Sequence, residues 1–169
     1  IDPLEPGIIS ICQVHAGSAF NIIPNDCFIE GTVRALSNEM RKFLAKRIGE
    51  IAASTAQGMR GSVEFVYNWD GPAPLVNNAS VTQEFRDMAE ELLGKDKVKE
   101  LARPSMGGED MAFFLEQVPG TFFFLSSGNP AKKTDVAHHN PKFDVDEDVF
   151  WIGSAAMSGM ALTWLKKHK

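Results

Sequence analysis

The sequence predicts an α/β protein in which a strand-rich first part precedes a part where helices and buried strands alternate. Residues 27–35 alternate between apolar and polar side chains, as in a strand with one covered face. Apolar residues recur at helical spacing from Met40 to Ile51, which indicates an amphipathic helix. The uninterrupted apolar run at 122–124 is typical of a strand buried on both faces.

The first part has the order strand, strand, helix, strand. Residues 8–15 form the first predicted strand, which places these side chains on one face: Ile9, Ile11, Gln13 and His15. Ser37 is a suitable N-cap for a helix that ends at Gly58, and residues 62–70 alternate like another strand. This is most of a helix-backed antiparallel sheet, although a ferredoxin-like unit also needs a preceding strand and helix.

The rigid, aperiodic stretch at 71–74 predicts a boundary between a domain of residues 1–74 and a domain of residues 75–169. Ser80 and Gln83 resemble a capping box at the start of a helix, and short helical and strand segments follow. Among these are a helix over 110–117, a buried strand over 120–126 and a final helix over 147–167. The final helix is apolar nearly all round, so we expect it to be buried.

Composition excludes several classes of protein. The net charge of −5 comes with scattered Lys and Arg, which disfavours nucleic-acid binding, and the apolar stretches are too short or interrupted to span a membrane. Cys12 and Cys27 form no zinc or disulfide pattern, so we expect buried, reduced thiols and a cytoplasmic location. Because residue 1 is Ile and no signal pattern follows, we expect a processed product or, preferably, a fragment.

His138 and His139 precede Asn140-Pro141 in a loop between the predicted buried strand and the final helix. Loops of this kind collect functional groups in α/β proteins, and a neutral imidazole there could bind zinc, manganese or a similar ion. The alternative is a solvated pair of loop histidines without a ligand.

Glu109 and Asp110 follow two glycines at the start of a short helix. Their carboxylates could simply complement the helix dipole. Alternatively, the glycines let the backbone approach a charged centre while one carboxylate orients a metal ligand from outside the coordination shell.

Arg34 lies on the polar face of its predicted strand, and Asn21 lies in the turn that leads to it. A guanidinium can bind a substrate carboxylate through two hydrogen bonds, and an amide can donate to a developing oxyanion. The structural alternatives are an exposed ion pair of Arg34 with Glu30, a turn role for Asn21 and a sheet-surface position for His15.

Four motifs occur in an order that resembles the hippurate hydrolase and indole-acetyl-amino-acid hydrolase branch of the aminoacylase and carboxypeptidase G superfamily. They are His15-Ala16-Gly17-Ser18-Ala19-Phe20-Asn21-Ile22-Ile23-Pro24, Gly31-Thr32-Val33-Arg34, Met106-Gly107-Gly108-Glu109-Asp110 and His139-Asn140-Pro141-Lys142-Phe143-Asp144. The resemblance covers essentially the whole chain. It implies that residues 1–74 are the later part of a lid or dimerisation domain and that residues 75–169 complete an α/β catalytic domain.

The resemblance further implies metal-dependent hydrolysis of N-acyl amino acids by a homodimer that contains two divalent ions, such as zinc, manganese, cobalt or nickel. His139 matches a metal ligand, Asn21 and Arg34 match groups that bind the substrate carbonyl and carboxylate, and His15 lies in the same motif. Glu109 and Asp110 match a motif near the metals. The other ligands and the catalytic glutamate belong to preceding segments, so this chain alone should not bind metal tightly. Alternatives are a non-catalytic dimerisation and binding module, or a dipeptidase of the same superfamily.

Overall fold

The computed structural model describes residues 4–169, which cluster into two compact units. The first unit comprises residues up to Val76 together with Ala102–Glu116, and the second comprises Asn77–Leu101 and Gln117–Lys169. Both strands and helices are present, which confirms the predicted fold class. These units are defined by contacts within the fold and do not test the functional boundary predicted at 71–74, which stays a prediction.

The first unit contains an antiparallel pair of strands, β1 (Gly7–Ala16) and β2 (Cys27–Ala35). Their register breaks within β1, because Ile11 lies opposite Gly31 whereas Gln13 lies opposite Glu30. Cys12 is therefore the extra residue of a β-bulge.

The bulge corrects the predicted arrangement of side chains on β1. Directly opposed residues of an antiparallel pair point to the same side, and one extra residue reverses the alternation. Gln13 and His15 therefore share the face of Glu30 and Arg34, whereas Ile9 remains on the opposite face. The sequence pattern placed His15 with Ile9 because it contains no signal for the bulge.

Helix α1 (Asn38–Gly58) begins and ends as predicted. The side chain of Ser37 accepts a hydrogen bond from the amide of Met40 at 3.0 Å, which satisfies one free donor of the first turn. Met40 and Leu44 are buried and pack toward the β1 residue Gly7, where an added Cβ would lie 2.8 Å from the Leu44 side chain. The helix therefore covers one end of the apolar sheet face.

Residues 62–70 pack on α1 but form no hydrogen-bonded ladder with another described segment, which corrects the predicted third strand. Arg41 of α1 donates hydrogen bonds to the carbonyls of Trp69 and Gly71, at 3.0 and 2.9 Å, and its guanidinium lies over the rings of Tyr67 and Trp69. An isolated extended segment needs a neighbouring strand to satisfy its main chain.

The second unit contains α2 (Ala79–Leu93) and α4 (Phe150–Lys167), which contact each other. Asn78 caps α2 by accepting hydrogen bonds from the amides of Ser80 and Val81, so the predicted capping box at Ser80 is wrong. The N-cap lies two residues earlier than predicted, at an equally good residue type. In the first unit, α3 (Met111–Leu115) is shorter than the predicted helix over 110–117.

Two burial predictions for the second unit are wrong. Residues 120–126 form no strand, and although Phe123 stacks on Phe85 of α2 at 4.5 Å, Phe124 is exposed. Helix α4 buries only Ala156 and exposes several large apolar side chains, because α2 covers one of its sides. None of the helices within residues 4–169 combines the length and apolar character needed to cross a membrane.

Cys12 and Cys27 are exposed free thiols, which corrects the expectation that both are buried. The two residues lie on the β1–β2 pair at positions that no other described element covers. Neither is part of a group that could hold a metal within residues 4–169.

Candidate functional site

The first unit holds Arg34 on the polar face of β2. Its side chain is exposed, and Nη1 donates a hydrogen bond of 3.2 Å to the carbonyl oxygen of Met106. No carboxylate of residues 4–169 forms an ion pair with it, so the expected alternative of a pair with Glu30 is wrong. Nη1 of the guanidinium is therefore held by the Met106 carbonyl, while the remaining N–H donors face solvent.

The carbonyl that binds Arg34 belongs to the loop that contains Gly107 and Gly108. A Cβ on Gly108 would lie 3.4 Å from Arg34 Nη1 and 3.3 Å from Pro72 Cγ, so the loop main chain passes close to both side chains. The half-buried Glu109 accepts a hydrogen bond of 3.4 Å from the amide of Met111. Asp110 occupies the N-cap position of α3 without a side-chain capping bond. Both carboxylates therefore lie at the start of α3, as the helix-dipole alternative expects, and of the two only Glu109 accepts a hydrogen bond from a main-chain amide there.

His15 lies on the same sheet face as Arg34, near the β1–β2 connection. Its Nε2 is 3.0 Å from Gln13 Oε1, and its ring stacks on Phe28 with centroids 6.5 Å apart. An open depression there is lined by His15, Asp26 and Phe28 among others. Asn21 is exposed in the connecting loop, and no other described side chain holds its amide. The bulge at Cys12 thus brings His15 to the Arg34 face, which an alternating pattern does not predict.

The second unit presents His138 and His139 in an exposed turn. The ring of His138 packs edge-on against Phe143 at 4.6 Å, whereas the ring nitrogens of His139 bond to no other residue of 4–169. His139 has a φ of 61°, in the left-handed region that costs energy for residues with a side chain. The ring nitrogens of His138 likewise have no hydrogen-bond partner among residues 4–169, so the two histidines differ in the aromatic contact of His138 and in the backbone conformation of His139.

Within residues 4–169, no cluster of three or more His, Cys, Asp or Glu side chains could hold a metal ion. The described residues therefore form no metal site by themselves, although the exposed His139 imidazole could supply one ligand. A tight site needs further ligands, because structural and catalytic zinc sites use at least three protein side chains.

The sequence patterns predict no role for Asp146, yet it is the only buried charged residue within residues 4–169. It lies in the run Asp146-Glu147-Asp148 immediately before the final helical segment. An acidic residue at that position is a recognisable N-cap signal, and its side chain accepts a hydrogen bond from the amide of Asp148.

The fold of this chain is similar to part of two solved structures, one described as a peptidase and the other as an aminohydrolase. The solved structure of the YXEP protein of Bacillus subtilis, described as a dinuclear metal binding peptidase, matches 95% of this chain with a TM-score of 0.79 and 26% identity. The chain belongs to peptidase family M20/M25/M40, whose family model matches residues 4–163. The resemblance found in the sequence is thereby confirmed.

Two other similar proteins match nearly the whole length of this chain. Thermostable carboxypeptidase 1 of Saccharolobus solfataricus is 34% identical over 99% of this chain, and IAA-amino acid hydrolase ILR1-like 4 of Arabidopsis thaliana is 31% identical over 99% of it. The chain spans 42% and 39% of the length of these two relatives. It also covers 42% of the Bacillus subtilis chain.

Proposed function

We propose that this chain forms part of a metal-dependent hydrolase that cleaves the amide bond of N-acyl amino acids. Family membership supports hydrolytic chemistry, and one relative is named for an amino-acid conjugate. The observation that carries the proposal is the exposed, unpaired guanidinium of Arg34 beside a glycine-rich loop.

Arg34 has the properties required to bind the carboxylate of an amino acid. The hydrogen bond to the Met106 carbonyl restricts the side chain and leaves the charge uncompensated by any carboxylate of residues 4–169. A planar guanidinium can donate two parallel hydrogen bonds to a carboxylate, and such bonds are about twice as strong as those between neutral groups. The substrate would thereby be oriented by its amino-acid end.

Asn21 would act on the other end of the scissile amide. Its side chain is exposed and unengaged by other described side chains, so its amide can donate to the carbonyl oxygen as negative charge develops there. His15 would contribute to the same substrate surface from the sheet face that it shares with Arg34. In the proposed homodimer, these groups of the lid would serve the active site of the second subunit.

His139 would hold one of two divalent ions, each completed by residues outside this chain. Such ions, when bound, polarise an amide carbonyl and lower the pKa of the attacking water. The His139 imidazole must be neutral to bind, so its affinity falls when it is protonated. Glu109 and Asp110 would orient groups around the metals rather than bind them.

These roles follow the division of the chain into a lid or dimerisation part, residues 1–74, and a catalytic part, residues 75–169. A homodimer is part of the same proposal because the resemblance implies it, and a cytoplasmic location is proposed because both cysteines are free thiols. The isolated chain would be inactive, because a lone imidazole binds a divalent ion weakly.

Replacement of Arg34 in the full-length protein tests the substrate assignment. We expect Arg34→Ala to lower kcat/KM for hippurate and N-acetyl amino acids by about 10²-fold, because a charged, bidentate contact is lost. Arg34→Lys should recover part of the loss, since it keeps the charge without the planar fork. Hippuryl amide, which lacks the carboxylate, is the matched substrate, and on it all three forms should be similar. Unchanged kinetics on hippurate would refute the carboxylate role.

The non-catalytic alternative is distinguished by metal content. The hydrolase should contain about two divalent ions per full-length subunit when measured by elemental analysis. A binding module should contain none and should hydrolyse no amide. The dipeptidase alternative is favoured by the name of the carboxypeptidase relative. Faster hydrolysis of dipeptides than of hippurate and N-acetyl amino acids would establish it.

A further inference from the structure

A network of polar side chains in the second unit joins the two ends of the loop that carries His138 and His139. We name it the Asp146 clasp, and it consists of Ser127, Asn129, Lys132, Thr134 and Asp146. The segment that it closes comprises residues 135–145.

Asp146 is the centre of the clasp. Its residue is only 6% exposed, and its carboxylate accepts hydrogen bonds from Asn129 Nδ2 at 2.7 Å, from Lys132 Nζ at 2.6 Å and from the Asp148 amide at 3.1 Å. A buried carboxylate is tolerated only when it is paired and hydrogen-bonded in this way. Both oxygens of Asp146 therefore have defined partners.

Ser127 and Thr134 complete the closure. The Ser127 carbonyl accepts hydrogen bonds from the Thr134 hydroxyl at 3.0 Å and from the Asp146 amide at 3.1 Å. The buried Thr134 hydroxyl also accepts from the Asn129 amide at 3.0 Å. Thr134 and Asp146, the residues on either side of the segment 135–145, therefore both bind the Ser127 carbonyl.

Inside the closed segment, a turn determines where His139 lies. The amide of Phe143 donates to the Asn140 carbonyl and the amide of Lys142 donates to the Asn140 side chain, both at 2.9 Å. His138 packs on Phe143, and His139 is held with a φ of 61°. A left-handed conformation persists only where neighbouring structure imposes it. The turn at Asn140 directly follows His139, and the clasp closes the two ends of the same segment.

We propose that the Asp146 clasp is a positioning device for His139 that sets the affinity of the full-length protein for one divalent ion. Asp146 acts through loop closure and touches neither metal nor substrate. Without the clasp, the segment must be ordered when metal binds, and the entropy lost then weakens binding. This inference rests on the proposed metal-dependent function.

Two variants of the full-length protein form a matched pair. Asp146→Asn keeps the size of the side chain but removes its charge and one of its two acceptor oxygens, so at least one of the three bonds loses its acceptor. Asp148→Asn is the control, because Asp148 also contacts Lys132 but its side chain is 79% exposed. Cobalt(II) titration followed by absorption spectroscopy measures metal affinity, and hydrogen exchange measures the protection of residues 135–145.

We expect Asp146→Asn to raise the Kd of one cobalt ion by about 10–100-fold, as is typical when groups supporting a metal ligand are lost, and to speed exchange in the segment. Asp148→Asn should change neither by more than about two-fold. In a His139→Ala background, Asp146→Asn should have no further effect on cobalt binding, because the two substitutions act on the same ligand.

Wild-type cobalt affinity and spectrum in folded Asp146→Asn would overturn the proposal. If that variant does not fold, Thr134→Val, which preserves shape and removes the hydroxyl bonds, replaces it with the same expected outcomes. A wild-type protein that binds no cobalt would refute the proposed function instead. In that case unchanged exchange of residues 135–145 in Asp146→Asn refutes the clasp, and faster exchange supports its closure of the loop.

Discussion

Arg34 and Gly108 depend on one another through a contact between a side chain and a main chain. Arg34 donates to the Met106 carbonyl, and the loop then passes so close that a Cβ on Gly108 would lie 3.4 Å from Nη1 and 3.3 Å from the Pro72 ring. The contact with the Pro72 ring is the tighter of the two, and 3.4 Å to Nη1 is an ordinary van der Waals distance, so an added methyl group would crowd the proline and shift the loop that anchors Arg34.

Gly108→Ala should therefore raise KM for N-acyl amino acids by about three- to ten-fold with a smaller change in kcat, because the carboxylate contact is shifted while the metal ligands stay intact. Steady-state kinetics of the full-length protein provides the measurement. Gly107→Ala is the control, since its Cβ would meet only the Ser105 hydroxyl, at 3.2 Å, which can rotate away. Equal KM values for the two variants would contradict the proposed dependence.

Asp146 makes the stability of the protein depend on pH in the acid range. Hydrogen bonds from Lys132 and then Asn129 lower the pKa of its carboxyl from 3.8 to about 2. Because the folded-state pKa lies below the unfolded value, the stabilisation is complete above about pH 3.8 and disappears as the pH falls toward 2.

Thermal unfolding of the wild type and Asp146→Asn between pH 7 and pH 2 checks this dependence. The wild type should have the higher Tm above pH 4, and the difference should shrink as the pH approaches 2. A constant difference throughout this range would show that the loss comes from altered packing and not from the ionised carboxylate.

The sequence was sufficient to select residue types at the candidate site but not their contacts. An arginine on a polar strand face and a histidine before Asn140-Pro141 are local features, and both are exposed as a ligand-binding role requires. The bond from Arg34 to Met106 joins positions 72 residues apart, and the Asn129–Asp146 bond joins positions 17 apart. Such pairings depend on the folded path of the chain, which single-residue chemistry does not specify.

At the scale of elements, α1 is stabilised at its start by Ser37, whose hydroxyl accepts from the Met40 amide and donates to the Glu5 carboxylate. Ser37→Ala should lower the free energy of unfolding by about 1 kcal/mol, because both hydrogen bonds are lost. Ser54→Ala is the control within the same helix, since Ser54 is exposed and bonds only the Glu50 carbonyl. Alanine is the better helix former there, so the control should be neutral or slightly stabilising. Urea unfolding measures both, and equal losses would contradict the capping role.

Helix boundaries were predictable where a cap residue marks them, whereas strand pairing was not. Ser37 and Gly58 mark the two ends of α1 in the sequence itself. In β1, the bulged residue Cys12 reverses the faces of the strand residues that follow it. An alternating sequence pattern cannot reveal such a bulge. Residues 62–70 have the composition of a strand but no ladder among the described residues, because pairing is a property of two segments.

At the scale of the whole molecule, the distribution of apolar side chains indicates surfaces that another polypeptide segment covers. On α4 an exposed apolar stripe consists of Trp151, Leu162 and Leu165, which are 62%, 59% and 64% exposed. Large contiguous apolar patches are rare on free protein surfaces. Since the chain spans 42% of the length of its carboxypeptidase relative, we propose that the rest of a full-length protein covers the stripe.

Leu165→Lys tests this proposal because its effect should have opposite signs in two settings. In residues 4–169 alone the substitution should increase solubility, since a charge interrupts the exposed stripe. In the full-length protein it should lower the free energy of unfolding by about 2–4 kcal/mol, because the charge would be buried without a partner. Met59→Lys, at an isolated exposed position after α1, is the control and should be nearly neutral in both settings. If Leu165→Lys is as neutral as the control in the full-length protein, the stripe faces solvent there. The apolar composition of the final helix would then need a different explanation from burial against the remainder of the catalytic domain.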